Sequence, residues 1–400
     1  MQKKVVVQIA VLGLAGALAL TACSNSKKSG SGGLSSAASG GGSSNQTYKI
    51  GFEGPLSGDN AQLGINEENG VELAVEQANA NSSLGFKITL VKQDDQGDPA
   101  KAPAAAAALQ QDPAMLGVIG PSFSGATKAV GPSYDAAGLT IITPSATNPT
   151  LSTLGFKTFH RIVPSDNVEG TQGADWLAAK SLKNVFVVDD LSDYGTGVSG
   201  AVLDELKVKG VATEHQGVDA KTTDYSSIAT QVVGSGAGAL FYGGYDVQAA
   251  LFVKALVAAN FKGIFVTGNG GKSSAFTQGA GAAGNGVYFT CGCLDATTAP
   301  DAKAFTTAYQ AKFNTPPSTY SPEAYDATNA LIQAIKDAKA AGGATRASVL
   351  AAVNKLDYKG ITTEVKFQPN GEVDASVQTV NLYEQKDGAI QLIGNIKDQK

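Results

Sequence analysis

The chain has 400 residues, with 30 Lys plus Arg against 35 Asp plus Glu, two histidines and three cysteines. Its net charge of −5 offers no basic surface for nucleic acid, and its length exceeds what one core usually serves, so two domains are the starting expectation. His160 and His215 lie far apart, which argues against a Ser-His-Asp triad or a histidine-rich metal site.

Lys3 and Lys4 precede an apolar run from Val5 to Leu20 that only Gln8 interrupts. A charged start, a short apolar stretch and small residues before a cut site predict a signal peptide over 1–22. The run is too short to favour a permanent transmembrane helix. Leu20-Thr21-Ala22-Cys23 resembles the bacterial lipobox, which implies diacylation of Cys23 and cleavage before it. Residues 23–47 then form a lipidated cysteine followed by Ser, Gly, Ala and Asn without apolar periodicity, a flexible coil by composition. Such a coil spans about 25–30 Å on average. The expected location is extracytoplasmic, held to a cell membrane by lipid.

From Tyr48 onward strands and helices alternate. Short apolar runs at Ile50–Phe52, Ile88–Val91, Leu116–Ile119 and Leu139–Ile142 predict one set of strands. Val185–Val188, Ala239–Tyr242, Ile264–Thr267 and Val287–Phe289 predict a second. Val71, Ala74, Val75 and Ala78 follow helical spacing, as do Val247, Ala250, Leu251 and, less cleanly, Lys254. A further helix turns Ala324, Ala327, Leu331, Ala334 and Ile335 inward, and Trp176 reads as core within another. Continuous apolar strands between helices imply parallel sheets covered on both faces, hence an α/β chain of two doubly wound, Rossmann-like lobes. Cys291 and Cys293 could form a small strained bridge or remain a pair of thiols. Near the end, Thr362–Phe367, Val377–Glu384 and Ala389–Ile393 read as antiparallel strands, with turns at Pro369-Asn370-Gly371 and Asp387-Gly388.

Ligands of open parallel sheets sit beyond the carboxyl ends of the strands, so those loops matter most. Pro121-Ser122-Phe123-Ser124-Gly125 opens a predicted helix, and Thr143-Pro144-Ser145-Ala146-Thr147-Asn148 follows the next strand. Hydroxyls and N–H groups there suit a carboxylate, while helix capping is the plainer use of the same residues. In the second half, Asp189-Asp190-Leu191-Ser192-Asp193-Tyr194-Gly195 and Tyr242-Gly243-Gly244-Tyr245-Asp246 offer acids and tyrosines to an ammonium or an apolar side chain. Capping and half-burial against glycines explain these equally well.

The ordered set Ile50 to Gly58, Asp94-Asp95-Gln96-Gly97-Asp98-Pro99, Ile119-Gly120-Pro121-Ser122, Thr143 to Thr147, Arg161 to Asp166, Asp193-Tyr194-Gly195 and Tyr242-Gly243-Gly244-Tyr245 resembles type I periplasmic solute-binding proteins of the branched-chain amino-acid ABC transporter family. The resemblance covers nearly all of residues 48 to 395. It implies two lobes joined by three crossovers, with 48–165 plus 294–364 in the first and 166–293 plus 365–400 in the second. It also implies a monomeric receptor that closes by a hinge over a small solute and docks on permease subunits, with no cofactor and no metal. The family's carboxylate site falls on Ser124, Ser145, Ala146 and Thr147, its ligand-facing tyrosines on Tyr194 and Tyr245, and an acid near the ligand's amino group on Asp166. The second-lobe acid expected beside it appears as Gly270. That departure leaves the ammonium to Asp166, or to Asp189, Asp190 or Asp246 if they reach the cleft. An aromatic near Leu63 is missing as well, and a cysteine pair known in some members is replaced at Gly97 and Phe123. A non-amino-acid carboxylate or a short amide therefore stays open as the solute, and so does a sensory rather than transport role.

Enzymatic readings find little support. Gly120-Pro121-Ser122-Phe123-Ser124 fails the nucleophile-elbow pattern at its last position, and the first glycine a phosphate loop needs before Gly271-Lys272-Ser273 is Val266.

Overall fold

The computed structural model describes residues 46–399. The predicted signal peptide, Cys23 and all but the end of the coil lie outside them. Among the described residues no helix is long and apolar enough to cross a membrane.

The strands β1 (Thr47–Gly54), β2 (Lys87–Asp94), β3 (Met115–Ile119), β4 (Thr140–Thr143) and β5 (Phe159–Arg161) form a wholly parallel sheet in the order β2-β1-β3-β4-β5. The second sheet contains β6 (Asn184–Asp189), β7 (Ala212–Gly217), β8 (Ala239–Gly243), β9 (Ile264–Thr267) and β10 (Tyr288–Cys291), paired parallel in the order β7-β6-β8-β9-β10. After β11 (Tyr358–Lys359) and β12 (Glu364–Val365), a small antiparallel ribbon, β13 (Asn381–Lys386) and β14 (Ala389–Asn395) extend the second sheet antiparallel beyond β10.

Helices cover both sheets. They are α1 (Ala61–Ala80), α2 (Ala102–Gln110), α3 (Ser124–Ala136), α4 (Asp166–Ala179), α5 (Asp193–Val208), α6 (Ser226–Gly234), α7 (Asp246–Ala258), α8 (Ser274–Ala280), α9 (Lys303–Phe313), α10 (Ser321–Ala340) and α11 (Arg346–Val353). Ile50, Phe52, Val118, Ile141, Val187 and Phe241 are wholly buried, as strands covered on both faces require. Although α10 follows the second sheet in sequence, it packs on the first: a Cβ at Gly117 of β3 would lie 2.7 Å from Leu331. The chain thus runs from the first sheet to the second after Arg161, returns after Cys291, and crosses again before β13.

In each sheet the second strand lies outside the first, and the third lies inside it. The order reverses between β1 and β3, and again between β6 and β8. Such switch points are where loops diverge and leave a crevice.

Several expectations need correction. The strands β5 and β7 are not foreshadowed by apolar runs: β5 is three residues with two polar members, and β7 is a half-exposed edge strand, Ala-Thr-Glu-His-Gln-Gly. The strand expected over Thr362–Phe367 shrinks to β12. The one expected from Val377 starts at Asn381, because Asp374 accepts from the Ser376 N–H and folds Ala375–Val377 into a tight turn. In helix α7, Ala250 is buried and Val247 and Leu251 are half-buried, but the inward face also takes in Ala249, Phe252, Val253 and Leu256, and Lys254 is exposed. The cause is Phe252, whose ring stacks 4.8 Å from Tyr225 and meets Tyr242 edge-on. Trp176 is core, 5.0 Å from the Tyr288 ring. Asp387 and Gly388 take positive φ and close the β13–β14 hairpin. Cys291 and Cys293 are joined as a disulfide where β10 ends, and the Tyr383 hydroxyl donates to the Cys293 carbonyl at 2.8 Å.

Candidate ligand-binding site

The loops at both switch points meet around a narrow cavity of about 10 Å³, the scale of one water. Leu63, Glu67, Ser122, Phe123, Ser124, Ser145 and Tyr320 line it from the first lobe, and Tyr194, Tyr245, Asn269 and Gly270 from the second. Five predicted residues, Ser124, Ser145, Tyr194, Tyr245 and Gly270, are thus brought together. Ala146, Thr147 and Asp166 are buried but do not line the cavity.

The two serines are not helix caps. No side chain caps α3; instead the Ser124 hydroxyl accepts from the Asn148 N–H at 3.1 Å, and Ser145 Oγ donates to the Ser122 carbonyl at 2.7 Å. These bonds tie the loop after β3 to the loop after β4. Arg161, wholly buried at the end of β5, sets the second loop's orientation. Its guanidinium donates to the carbonyls of Ala146 and Asn148, both at 2.9 Å, and pairs with Glu372. The Asp166 N–H takes the Thr147 carbonyl at 2.8 Å. The Ser145 and Ala146 N–H groups donate to Thr143 Oγ1, at 3.3 and 2.9 Å, so the loop is braced from within as well.

In the second lobe, Tyr194 holds the loop after β9. Its hydroxyl accepts from the Gly270 N–H at 3.0 Å, and its ring lies 5.3 Å from Tyr245. A Cβ at Gly270 would stand 2.5 Å from the Tyr194 ring and 2.9 Å from the Gly244 carbonyl. With Tyr194 packed in this way, no side chain fits at Gly270 unless its neighbours shift.

The lobes touch directly. Phe123 stacks on Tyr245 at 4.4 Å and 21°, Asn60 donates to Asp246 at 2.7 Å, and Lys128 pairs with Asp193 at 2.6 Å. Gly97 makes room for this bridge: a Cβ there would fall 2.7 Å from the Phe123 ring. Phe123 and Gly97 thus form a packed pair at the positions where some relatives are expected to carry cysteines.

Carboxyl groups crowd the first-lobe end. Glu67 accepts from Ser122 Oγ at 2.6 Å through one oxygen and has no partner on the other. Burial pushes its pKa up to about 8, and Asp95 and Glu323 add to the rise. Burial likewise lifts Glu53 to about 8 and Asp95 to about 6. Asp166 has no hydrogen-bond partner of normal geometry on either oxygen. Burial, then the neighbouring Glu169, push it well up, while the nearby Thr147 hydroxyl and Arg161 guanidinium act against this.

The other acids are engaged elsewhere. Asp189 meets His215 at 2.6 Å, Asp190 accepts from Ser192, and Asp246 accepts from Ser273 and Asn60. None lines the cavity. Lys272 is buried, with its Nζ 4.2 Å from the Tyr383 ring and donating to Thr319, so no phosphate cradle forms there. Among the described residues no cluster of His, Cys, Asp and Glu has the geometry of a metal site.

A family model described as periplasmic binding protein matches residues 47–389. The chain belongs to the periplasmic binding protein family. It is 27% identical, over 330 residues, to the leucine-, isoleucine-, valine-, threonine- and alanine-binding protein of Pseudomonas aeruginosa, covering 82% of this chain and 87% of that one. Its fold also matches the branched-chain amino acid transporter substrate-binding protein LivJ of Streptococcus pneumoniae, solved with isoleucine, with a TM-score of 0.77, 26% identity and coverage of 87% and 100%. For the leucine binding protein LivK of Thermotoga maritima the TM-score is 0.81, at 24% identity and coverage of 87% and 98%. These relatives are solute-binding proteins, not enzymes.

As a periplasmic binding protein, the chain carries cavity residues that sequence reasoning missed. Glu67 and Tyr320 gave no motif. Glu67 sits one helical turn after Leu63, and an acid on the inward face of a helix is the trace it left. Asn269 stood inside a loop read for its glycines.

Proposed function

We propose that this protein is the extracytoplasmic solute receptor of an ABC importer and that its solute is a small amino acid of the branched-chain type. The observation that carries this reading is the cavity between the two switch points, with Ser124 and Ser145 on one wall and Tyr194 and Tyr245 on the other. The solute's carboxylate is assigned to the hydroxyls and N–H groups of the loops after β3 and β4, and its ammonium to the Asp166 side of the site. A wholly buried carboxyl with no hydrogen bond of normal geometry is costly unless a cation or donor reaches it.

Binding requires the lobes to part, since about 10 Å³ admits no amino acid. Hinge opening about the three crossovers, followed by closure over the solute, excludes water and strengthens the polar contacts. The proposed anchor is diacylated Cys23, with the following coil as tether, and the proposed partners of the closed monomer are permease subunits. The bonds across the mouth, Lys128 to Asp193 and Asn60 to Asp246, support a closed state that a permease could distinguish from an open one.

Calorimetric titration with alanine, valine, leucine and polar amino acids, beside their des-amino acids and short amides, tests the reading. Solution scattering under the same conditions follows closure. Tight binding of an aliphatic amino acid with a fall in radius of gyration is expected. Binding of only a des-amino acid or an amide would overturn the amino-acid assignment. Mass spectrometry of the membrane-extracted protein checks the anchor; an unmodified Cys23 would remove it.

A further inference from the structure

Glu169, on α4 and buried, does not reach the cavity but grips a residue that does. Its two oxygens accept from Asn269, one from the main-chain N–H at 3.0 Å and the other from Nδ2 at 2.6 Å. Thr290 Oγ1 of β10 donates to the first of these at 2.9 Å. The clamp fixes which end of the Asn269 amide faces which way: the nitrogen must turn to the carboxylate, because only a donor satisfies it. The carbonyl end, Oδ1, takes no part in the clamp. Asn269 is 2% exposed and lines the cavity beside Gly270, so Oδ1 is its polar end on that side.

We propose that Asn269 Oδ1 is the second-lobe acceptor for the solute's ammonium, taking over from the acid that Gly270 lacks, with Glu169 as its positioning residue. The inference rests on the amino-acid reading above and sharpens it. From the second lobe the solute's amino group then meets a neutral carbonyl where an acid was expected. A neutral acceptor accommodates an ammonium without adding a second buried charge to a site that already crowds Glu67, Asp166 and Glu169. It accepts only from N–H or O–H, so it rewards an amino group and is left without a donor when a methylene takes that place.

The test pairs each amino acid with its des-amino acid: alanine with propanoate, valine with 3-methylbutanoate, leucine with 4-methylpentanoate. Each is titrated into the parent protein and into Asn269→Ala, Glu169→Gln and the double variant Glu169→Gln/Asn269→Asp. Asn269→Ala is expected to weaken amino-acid binding about tenfold, near 1.4 kcal/mol, and to change des-amino acid binding less than twofold. Glu169→Gln loses part of the clamp and is expected to weaken amino-acid binding about three- to tenfold. The double variant reverses the clamp's polarity, the introduced amide donating to the introduced carboxylate, and is expected to recover the parent affinity for amino acids. Equal losses for both partners of a pair, or no loss in Asn269→Ala, would overturn the assignment of Asn269. Absence of amino-acid binding by the parent would overturn the amino-acid reading and this inference with it, a result visible before any variant is made. Thermal unfolding of each variant separates lost folding from lost recognition, and an unfolded Glu169→Gln leaves the Asn269→Ala comparison decisive.

Discussion

The two walls of the cavity are built by the same strand order but differ in where their small polar groups lie. The first-lobe wall carries the hydroxyls, three serines knitted through the loops after β3 and β4 with Glu67 beside them, set among Leu63, Phe123 and Tyr320. The second-lobe wall is mostly aromatic, with Tyr194 and Tyr245 packed on glycines and Asn269 as its polar exception. Polar groups on the first wall can order a solute before closure, because their bonds to one another already fix them. The aromatic wall contributes area, and area counts only once water has been excluded. Under the hinge closure proposed above, this difference assigns capture to the first lobe and covering to the second.

The strongest way to break this contrast is to put an acid on the aromatic wall. Gly270→Glu drives a side chain into the Tyr194 ring and is expected to destabilise the protein by about 1–3 kcal/mol in denaturant unfolding. Adding Tyr194→Ala should restore part of that loss; no loss in the single variant would mean the Tyr194 packing is not what excludes an acid. On the polar wall, Ser124→Ala is expected to weaken solute binding by about 1–3 kcal/mol, since it orphans the Asn148 N–H and removes a hydroxyl from the carboxylate site. Thr147→Ala should act in the same direction, and unchanged affinity in both variants would remove the carboxylate assignment. Tyr245→Ala dissolves the stack with Phe123 and should cost about 0.5–1.5 kcal/mol of binding. Intact affinity there would reduce the ring to a structural part.

A pH dependence is expected as well. Glu67 ordinarily titrates near 4.5 and is pushed up to about 8 by burial, so the folded chain keeps a proton that the unfolded chain releases between those values. Its contribution is full below pH 4.5 and is lost as pH rises through 8. The melting temperature should therefore fall from pH 5 to pH 8, and Glu67→Gln should flatten the slope. An unchanged slope would assign the effect to other acids such as Glu53 and Glu323, which burial lifts in the same way.

How much of this was legible in the sequence depends on distance along the chain. Strands with apolar runs, Ile50–Phe52 or Ala239–Tyr242, declared themselves because both faces are covered. β7 did not, since an edge strand keeps polar residues on its open side. The serine loops and the tyrosines were legible because switch-point loops are local in sequence. Glu67 and Tyr320 were not, because they reach the cavity through the packing of α1 and α10, whose closeness at Gly70 and Ser321 no local pattern encodes. The Glu169 clamp links residues 100 positions apart, and only the folded second lobe joins them.

The repeated strand order has a practical corollary. Because β1, β3 and β4 end where β6, β8 and β9 end in the facing sheet, the molecule offers matched sockets for interchangeable loops. A protein engineer could graft a new loop after β3 or β4 to recognise another anion while leaving the tyrosine half intact. Reporter dyes placed at Lys128 and Asp193, on opposite rims of the mouth, would then read out capture as a change in separation.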